Sequence, residues 1–172
     1  MRCSAVVLAI ALTSSASSAE PAGEPNRVVV DGAQELGVVS STHSMLTVSY
    51  ARRLWQQRLY AEARLGSGYA YDLLETVGLG VLEVRLGAGV VLRRDRRVEV
   101  RIGWRVGDTY LHGSLNEQPF GLHTFAIQLA PTVAVRLASS WRLRITPVAP
   151  TLYWNQTYAG SMGLEAGVEY AL

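Results

Sequence analysis

The sequence alternates between apolar and polar residues with a period of two over long stretches from Met45 onward. In residues 97–107, five large apolar residues occupy one face and charges and glycines the other: Val98, Val100, Ile102, Trp104 and Val106 against Arg97, Glu99, Arg101, Gly103, Arg105 and Gly107. This is the period of a β-strand, in which successive side chains point to opposite faces. The pattern predicts an all-β fold whose strands have two different surroundings.

Seven segments carry the alternation: 45–53, 57–66, 78–92, 97–107, 122–137, 141 to about 154, and 160–172. Strands of soluble proteins are usually about 5 or 6 residues long, whereas a strand needs about 9 to 11 residues to cross a membrane. The lengths therefore favour a membrane. A bacterial barrel with both chain ends in the periplasm has an even number of strands, so we expect a weak first strand between residues 27 and 41.

The connections are expected to alternate in length, with tight turns at 93–96 and 138–140 and long loops at 67–76 and 107–121. Short turns at one end and long loops at the other are typical of outer-membrane barrels. Pro131 and Pro147 fall inside predicted strands, where the missing N–H removes a ladder hydrogen bond. We expect a β-bulge at each proline, or a seventh strand that stops at Pro147 and resumes after Pro150.

The N-terminus has the three parts of a secretory signal: a basic start at Met1 and Arg2, an apolar run at 5–12 and small residues at 14–19. We predict cleavage near Ala19, a periplasmic segment at 20–26 and a barrel domain at 27–172. The apolar run is too short to span a bilayer as a helix, and no later segment has about 20 consecutive apolar residues. Cys3, the only cysteine, precedes the cleavage site, so disulfides and cysteine metal sites are not expected.

These features together resemble the small eight-stranded outer-membrane proteins of the OmpA and OmpX type. The resemblance rests on the signal peptide, the meander of strands, the loop asymmetry and a final alternating strand with Tyr170 two residues before Leu172. It implies an antiparallel up-and-down transmembrane β-barrel of about eight strands in the bacterial outer membrane. It also implies contact with outer-membrane lipid and lipopolysaccharide, and recognition of the C-terminal strand by the barrel-assembly machinery.

The polar face of the strands would line the interior of such a barrel. All 16 basic residues are arginine, and the inward set contains both signs of charge: Glu62, Arg64, Glu83, Arg85, Glu99, Arg101, Arg105, Arg136, Arg142, Arg144, Glu165 and Glu169. The interior of an eight-stranded barrel is only just wide enough for side chains to fill. We expect a salt-bridged plug, with a selective pore lined by arginine as the alternative.

Aromatic residues should form girdles where such a barrel meets the two membrane interfaces. One group lies beside the tight turns and the C-terminus, at the presumed periplasmic rim: Trp55, Trp141 and Tyr170. A second group lies at the long loops, near the presumed outer rim: Tyr69, Tyr153 and Trp154. We predict that these two groups are the girdles.

We expect no catalytic, cofactor or metal site. His112, Ser114 and Glu117 lie close together, and some small barrels are lipid A hydrolases or acyltransferases, but a mobile loop holds a serine poorly against its base. The basic residues have acidic neighbours, so no nucleic-acid partner is expected. We expect a structural or surface-exposed barrel whose loop ligand is unknown. The alternatives are a narrow channel, a lipid A-modifying enzyme, or a soluble exported β-barrel that binds a small hydrophobe.

Overall fold

The computed structural model describes residues 26–37, 41–54, 58–72, 77–115 and 118–172, and these ranges are almost entirely strand. Eight strands follow one another along the chain: β1 (Asn26–Gly37), β2 (Ser41–Leu54), β3 (Leu59–Asp72), β4 (Val77–Arg94), β5 (Val98–Leu115), β6 (Gln118–Arg136), β7 (Trp141–Asn155) and β8 (Thr157–Ala171). Each strand pairs antiparallel with the next. β1 also pairs antiparallel with β8, which closes the sheet into an up-and-down barrel.

The expected fold class and strand number are confirmed, including the weak first strand. β1 begins at Asn26, one residue before the predicted start of the barrel. The predicted signal peptide and its cleavage site near Ala19 lie outside the described residues. No helix in the described part of the chain has the length and apolar character needed to cross a membrane.

We call the end of the barrel at which β1 begins and β8 ends the terminal end, and the opposite end the distal end. The terminal end carries the connections at 55–58, 95–97 and 137–140. The distal end carries those at 38–40, 73–76 and 116–117, and a tight turn at Gln156, whose φ of 58° lies in the left-handed region. In a barrel with periplasmic chain ends, the terminal end faces the periplasm.

The predicted long loops at 67–76 and 107–121 are wrong, because most of those residues are strand. The ladder continues through Tyr71↔Gly78 and His112↔Gly121, close to the connections. Rings lie over glycines of the neighbouring strand there, so that a Cβ at Gly78 would come 1.4 Å from the Tyr69 hydroxyl. Tyrosine side chains at these positions therefore pack over glycines of the neighbouring strand. The Gly- and Tyr-rich composition suggests loops, but it belongs to paired strands.

Both prolines coincide with breaks in the register, which confirms the expected bulges. The β6–β7 register shifts between Gln128 and Val133, and the β7–β8 register shifts between Thr146 and Ala149. The alternative of an interrupted seventh strand is wrong, since β7 runs without a gap from Trp141 to Asn155. The bulge at Pro147 has one consequence for the lumen. Even-numbered residues face inward before it and odd-numbered residues face inward after it.

Candidate functional site

The barrel has charged residues inside and apolar residues outside. Among the described side chains, eight arginines and six carboxylates are buried: Arg27, Arg53, Arg64, Arg85, Arg101, Arg105, Arg142, Arg144, Asp31, Glu62, Glu83, Glu99, Glu165 and Glu169. The outer wall exposes large apolar side chains such as Leu46, Val84 and Leu86. A soluble barrel would have the opposite arrangement, because burying unpaired charge is costly and exposed apolar area is unfavourable in water.

Two glutamates organise the charges nearest the terminal end, which we call the terminal cluster. Glu99 accepts hydrogen bonds from Arg53, Arg101 and, at 3.0 Å from Nη1, Arg142. Glu169 accepts hydrogen bonds from Arg27 and, at 2.8 Å and 2.9 Å from Nη2, Arg101. Arg27 also lies 3.3 Å from Glu99 and so links the two carboxylates. Four guanidinium groups thus surround two carboxylates.

Arg105 connects three strands in a central cluster. Its Nη1 donates to Glu165 Oε1 on β8 and to Gln128 Oε1 on β6, both at 2.8 Å, and its Nε donates to Glu62 Oε2 on β3 at 3.3 Å. Arg144 lies 3.3 Å from Glu62 and 3.7 Å from Asp31. Because these partners come from different strands, the cluster ties opposite walls of the barrel together.

Glu83 joins two arginines in a distal cluster. Arg64 reaches Glu83 at 3.2 Å and Glu165 at 2.7 Å, so it also bridges to the central cluster. Arg85 reaches Glu83 at 2.7 Å and donates a hydrogen bond of 3.3 Å to the Tyr153 hydroxyl. The Arg85 guanidinium also lies 5.9 Å from the centre of the Tyr153 ring, within the range of a cation–π contact.

A cluster of apolar side chains from β1 to β5 lies in the lumen on the distal side of these charges. This apolar cap consists of four buried residues, Ala33, Met45, Ala70 and Val81, packed against Leu79 and Leu111. Val81 lies two residues distal to Glu83 on β4, and Ala33 lies two residues distal to Asp31 on β1. Towards the distal end, the β1–β5 side of the lumen therefore changes from charged to apolar, while β6 to β8 contribute uncharged polar residues such as Thr124 and Ser161.

Eleven of the twelve predicted lumen residues are buried in these three clusters: Glu62, Arg64, Glu83, Arg85, Glu99, Arg101, Arg105, Arg142, Arg144, Glu165 and Glu169. The prediction for Arg136 is wrong, because it is exposed at the last residue of β6. Arg136 alternates in phase with Gln128 and Ala134, which face inward, but β6 ends at this residue. Sequence reasoning missed Arg27, Asp31 and Arg53.

Four of the six predicted girdle aromatics lie on the outer wall. Trp141 and Tyr170 are exposed at the terminal end with ring centres 4.8 Å apart, and Tyr69 and Trp154 are exposed towards the distal end. The prediction for Tyr153 is wrong, because it is buried in the lumen against Arg85. The bulge at Pro147 reverses the parity, so Tyr153 and Trp154 point to opposite faces. Trp55 lies outside the described residues.

His112, which the sequence analysis singled out, and His123 both lie on strands near the distal end. His112 is exposed on β5 and contacts Tyr110, whose ring centre is 5.7 Å away. His123 on β6 lies 2.7 Å from Asp108 through Nδ1. Ser114 is also on β5, and Glu117 lies outside the described residues. Within the described ranges, no group of three or more His, Cys, Asp or Glu side chains is placed to hold a metal ion.

No protein-family model matches the chain, and no curated protein sequence matches it. Solved protein structures do match the fold of this chain. Neisserial surface protein A superposes with a TM-score of 0.65 at 12% identity over 86% of this chain and 96% of its own. The N-terminal β-barrel domain of Pseudomonas aeruginosa OprF gives a TM-score of 0.54 at 8% identity over 85% and 98%.

The outer membrane protein AlkL, solved in lipid bilayers, gives a TM-score of 0.50 at 12% identity over 93% of this chain and 97% of its own. The chain has the fold of the small eight-stranded outer-membrane barrels. At these identities the likeness concerns the fold.

Proposed function

We propose that the chain is an outer-membrane barrel whose lumen is closed by its own ion pairs and which has a structural or surface-interaction role. The burial of the lumen charges is the observation that carries this proposal. Arg64, Arg85 and Arg105 are each at most 2% exposed, as are Glu83, Glu165 and Glu169. A continuous water-filled channel past these groups would leave guanidinium and carboxylate atoms in contact with water.

The pairing of the charges supports a plug more than a selective pore. The guanidinium group of Arg105, at the centre of the barrel, donates hydrogen bonds to Glu62, Glu165 and Gln128. A passing ion would have to displace hydrogen bonds between ionised groups, which are among the strongest in proteins. The apolar cap adds a second obstacle, because on its side of the lumen a passing ion finds no polar group to replace its lost hydration.

The distal ends of the strands support a role at the surface. β4, β5 and β6 are 18, 18 and 19 residues long, whereas about 9 to 11 residues cross a membrane. The β5–β6 hairpin therefore extends beyond the membrane and presents its outer face to the surroundings. That face carries a group of aromatic and imidazole rings in which the Tyr110 ring centre lies 5.7 Å from that of His112 and 4.5 Å from that of His123.

Conductance of the refolded protein in a planar lipid bilayer tests the closed lumen. We expect no steady conductance from the wild type. The matched control is the charge-balanced double variant Arg105→Ala/Glu165→Ala, which removes the central ion pair and should raise the conductance above that of the wild type. Steady wild-type conductance on the scale of a porin would contradict the plug and favour the narrow channel.

The proposed location is the bacterial outer membrane, with lipid and lipopolysaccharide against the apolar outer wall and the barrel-assembly machinery as the partner of β8. We expect the protein to fractionate with outer membranes and to require detergent once it is extracted. A protein that stays in the periplasmic fraction without detergent would instead be the soluble exported β-barrel. This measurement does not depend on whether the lumen conducts.

A further inference from the structure

The terminal end of the lumen opens into a small cavity that we call the terminal mouth. It holds about 10 Å³, roughly the space of one water molecule. Five arginines and two carboxylates line it, among them Arg94, Arg97, Arg136, Arg142 and Glu99. Arg96, Arg97 and Arg136 are exposed around its opening. A larger ligand would therefore lie across the opening.

The charges around this mouth are strongly positive. The residues that line its wall include three more arginines than carboxylates. Immediately inside, the terminal cluster adds Arg27, Arg53 and Arg101 against Glu169. Positive charge backed by a low-dielectric barrel wall produces a focused field that attracts anions.

Ion pairs hold two of these arginine side chains, and backbone hydrogen bonds fix the turn that carries two others. Arg142 donates to Glu99 at 3.0 Å, and Arg94 lies 3.6 Å from the same carboxylate. The turn that carries Arg96 and Arg97 is fixed by two backbone hydrogen bonds, from Asp95 N to Val98 O at 2.8 Å and from Arg136 N to Arg97 O at 2.7 Å. The exposed Arg93 side chain lies 2.9 Å from Asp95 and offsets its charge. The backbone that presents Arg97 and Arg136 is therefore fixed before any ligand arrives, while their exposed side chains extend into solvent.

The two ends of the barrel differ sharply in charge. The sequence places none of its 16 basic residues in the distal connections 38–40, 73–76 and 116–117, whereas the terminal connections contain Arg58, Arg96 and Arg97. The excess of positive charge is therefore found at the terminal end. It does not simply follow from the arginine-rich composition of the whole chain.

We propose that the terminal mouth is a binding site for a phosphate-class oxyanion, held at the opening by Arg97 and Arg136 with Arg94 beside them. Guanidinium groups donate in a planar fork that matches two oxygens of a phosphate at once. The mouth thus takes the phosphate group of a free phosphate or of an anionic phospholipid headgroup. This site does not require the lumen to be closed.

Thermal unfolding of the folded, detergent-solubilised protein tests the proposal with inorganic phosphate as the probe, against chloride at equal ionic strength. Phosphate should raise the unfolding midpoint of the wild type in a saturable way. Arg97→Gln/Arg136→Gln should weaken the apparent affinity by at least about tenfold, the effect of losing charged hydrogen bonds. Arg52→Gln/Arg58→Gln, with the same loss of charge outside the mouth, should bind like the wild type.

A second arm identifies the source of the phosphate by replacing the free ion with short-chain phosphatidylglycerol or phosphatidylcholine below their micelle concentrations. Stabilisation by phosphatidylglycerol alone, lost in Arg97→Gln/Arg136→Gln, would identify the ligand as an anionic headgroup. Stabilisation by free phosphate with the same loss would show that the phosphate group suffices. The proposal is overturned if neither probe stabilises the wild type, or if both variants respond like the wild type.

Discussion

Arg105 illustrates why single residues matter so much in this lumen. It is 2% exposed and contacts Glu62, Glu165 and Gln128, so its removal leaves two carboxylates short of a positive charge inside the barrel. An uncompensated buried charge costs far more than the pair contributes, because the remaining group keeps its desolvation penalty. The same change at an exposed arginine removes only a solvated charge.

We therefore expect Arg105→Ala to lower the free energy of unfolding by about 3 kcal/mol. Arg52→Ala, at an exposed position on β2, should change it by about 0.5 kcal/mol or less. The measurement is urea unfolding of both variants and the wild type in the same lipid vesicles. Equal unfolding midpoints for the two variants would show that the Arg105 ion pairs do not hold the lumen together.

Most lumen charges could be predicted because their strands alternate cleanly, as β4 and β5 do. The residues that were missed lie where the alternation is poor. β1 has Val28, Val29 and Val30 in succession, so parity alone could not place Arg27 and Asp31 inside. Adjacent Arg52 and Arg53 pose the same problem, since one of the two must face outward.

In strand β7, one bulge changes which side chains face the lumen over the rest of the strand. The predicted bulge at Pro147 is confirmed, and it reverses the orientation of the residues that follow it. Thr146 and Ala149 both face inward across the break, which places Tyr153 inside and Trp154 outside. The strand ends were less predictable, because pairs such as Tyr69 over Gly78 depend on the neighbouring strand.

The reversed parity predicts different chemical access at two adjacent residues. In a background without Cys3, we expect Trp154→Cys to react readily with a bulky maleimide in detergent, because that side chain lies on the outer wall. Tyr153→Cys should react far more slowly, since its neighbours are Arg85 and the lumen wall. Circular dichroism of each variant checks that the barrel has folded. Equal rates in folded protein would contradict the assigned parity.

The final strand closes the barrel, and its last residues are paired on both sides. Tyr170 pairs with Val28 on β1 and Trp141 on β7, Ala171 N donates to Ser140 O at 2.8 Å, and Leu172 N donates to Asn26 O at 3.0 Å. Removing residues 170–172 exposes strand edges at the seam between the chain ends. Such edges are unfavourable in lipid, where backbone groups have no water to bind.

We expect deletion of residues 170–172 to deplete the protein from isolated outer membranes, measured by immunoblot of membrane fractions. The single substitution Ala171→Ser, which keeps the backbone hydrogen bonds, should leave the yield close to that of the wild type. A normal yield of folded, membrane-inserted truncated protein would show that these residues are dispensable for assembly.

At the scale of the whole molecule, the defining property is the inversion of polarity. Alternation in the sequence identifies two faces on every strand, but alternation alone does not say which face meets water. The closed barrel decides this, because the face that it encloses is the one that carries the arginines and glutamates, which are buried and paired there. The apolar face is left outside, where a lipid bilayer is the solvent that suits it.

Spin-label accessibility along β4 in lipid vesicles tests this inversion most directly. Single nitroxides at Leu82→Cys, Val84→Cys and Leu86→Cys report on outer-wall positions that are 46%, 55% and 63% exposed. We expect all three to collide more often with oxygen, which dissolves in lipid, than with a polar nickel complex, and a label at His112→Cys to show the reverse. Nickel accessibility at the three β4 positions equal to that at residue 112 would contradict a membrane-spanning barrel.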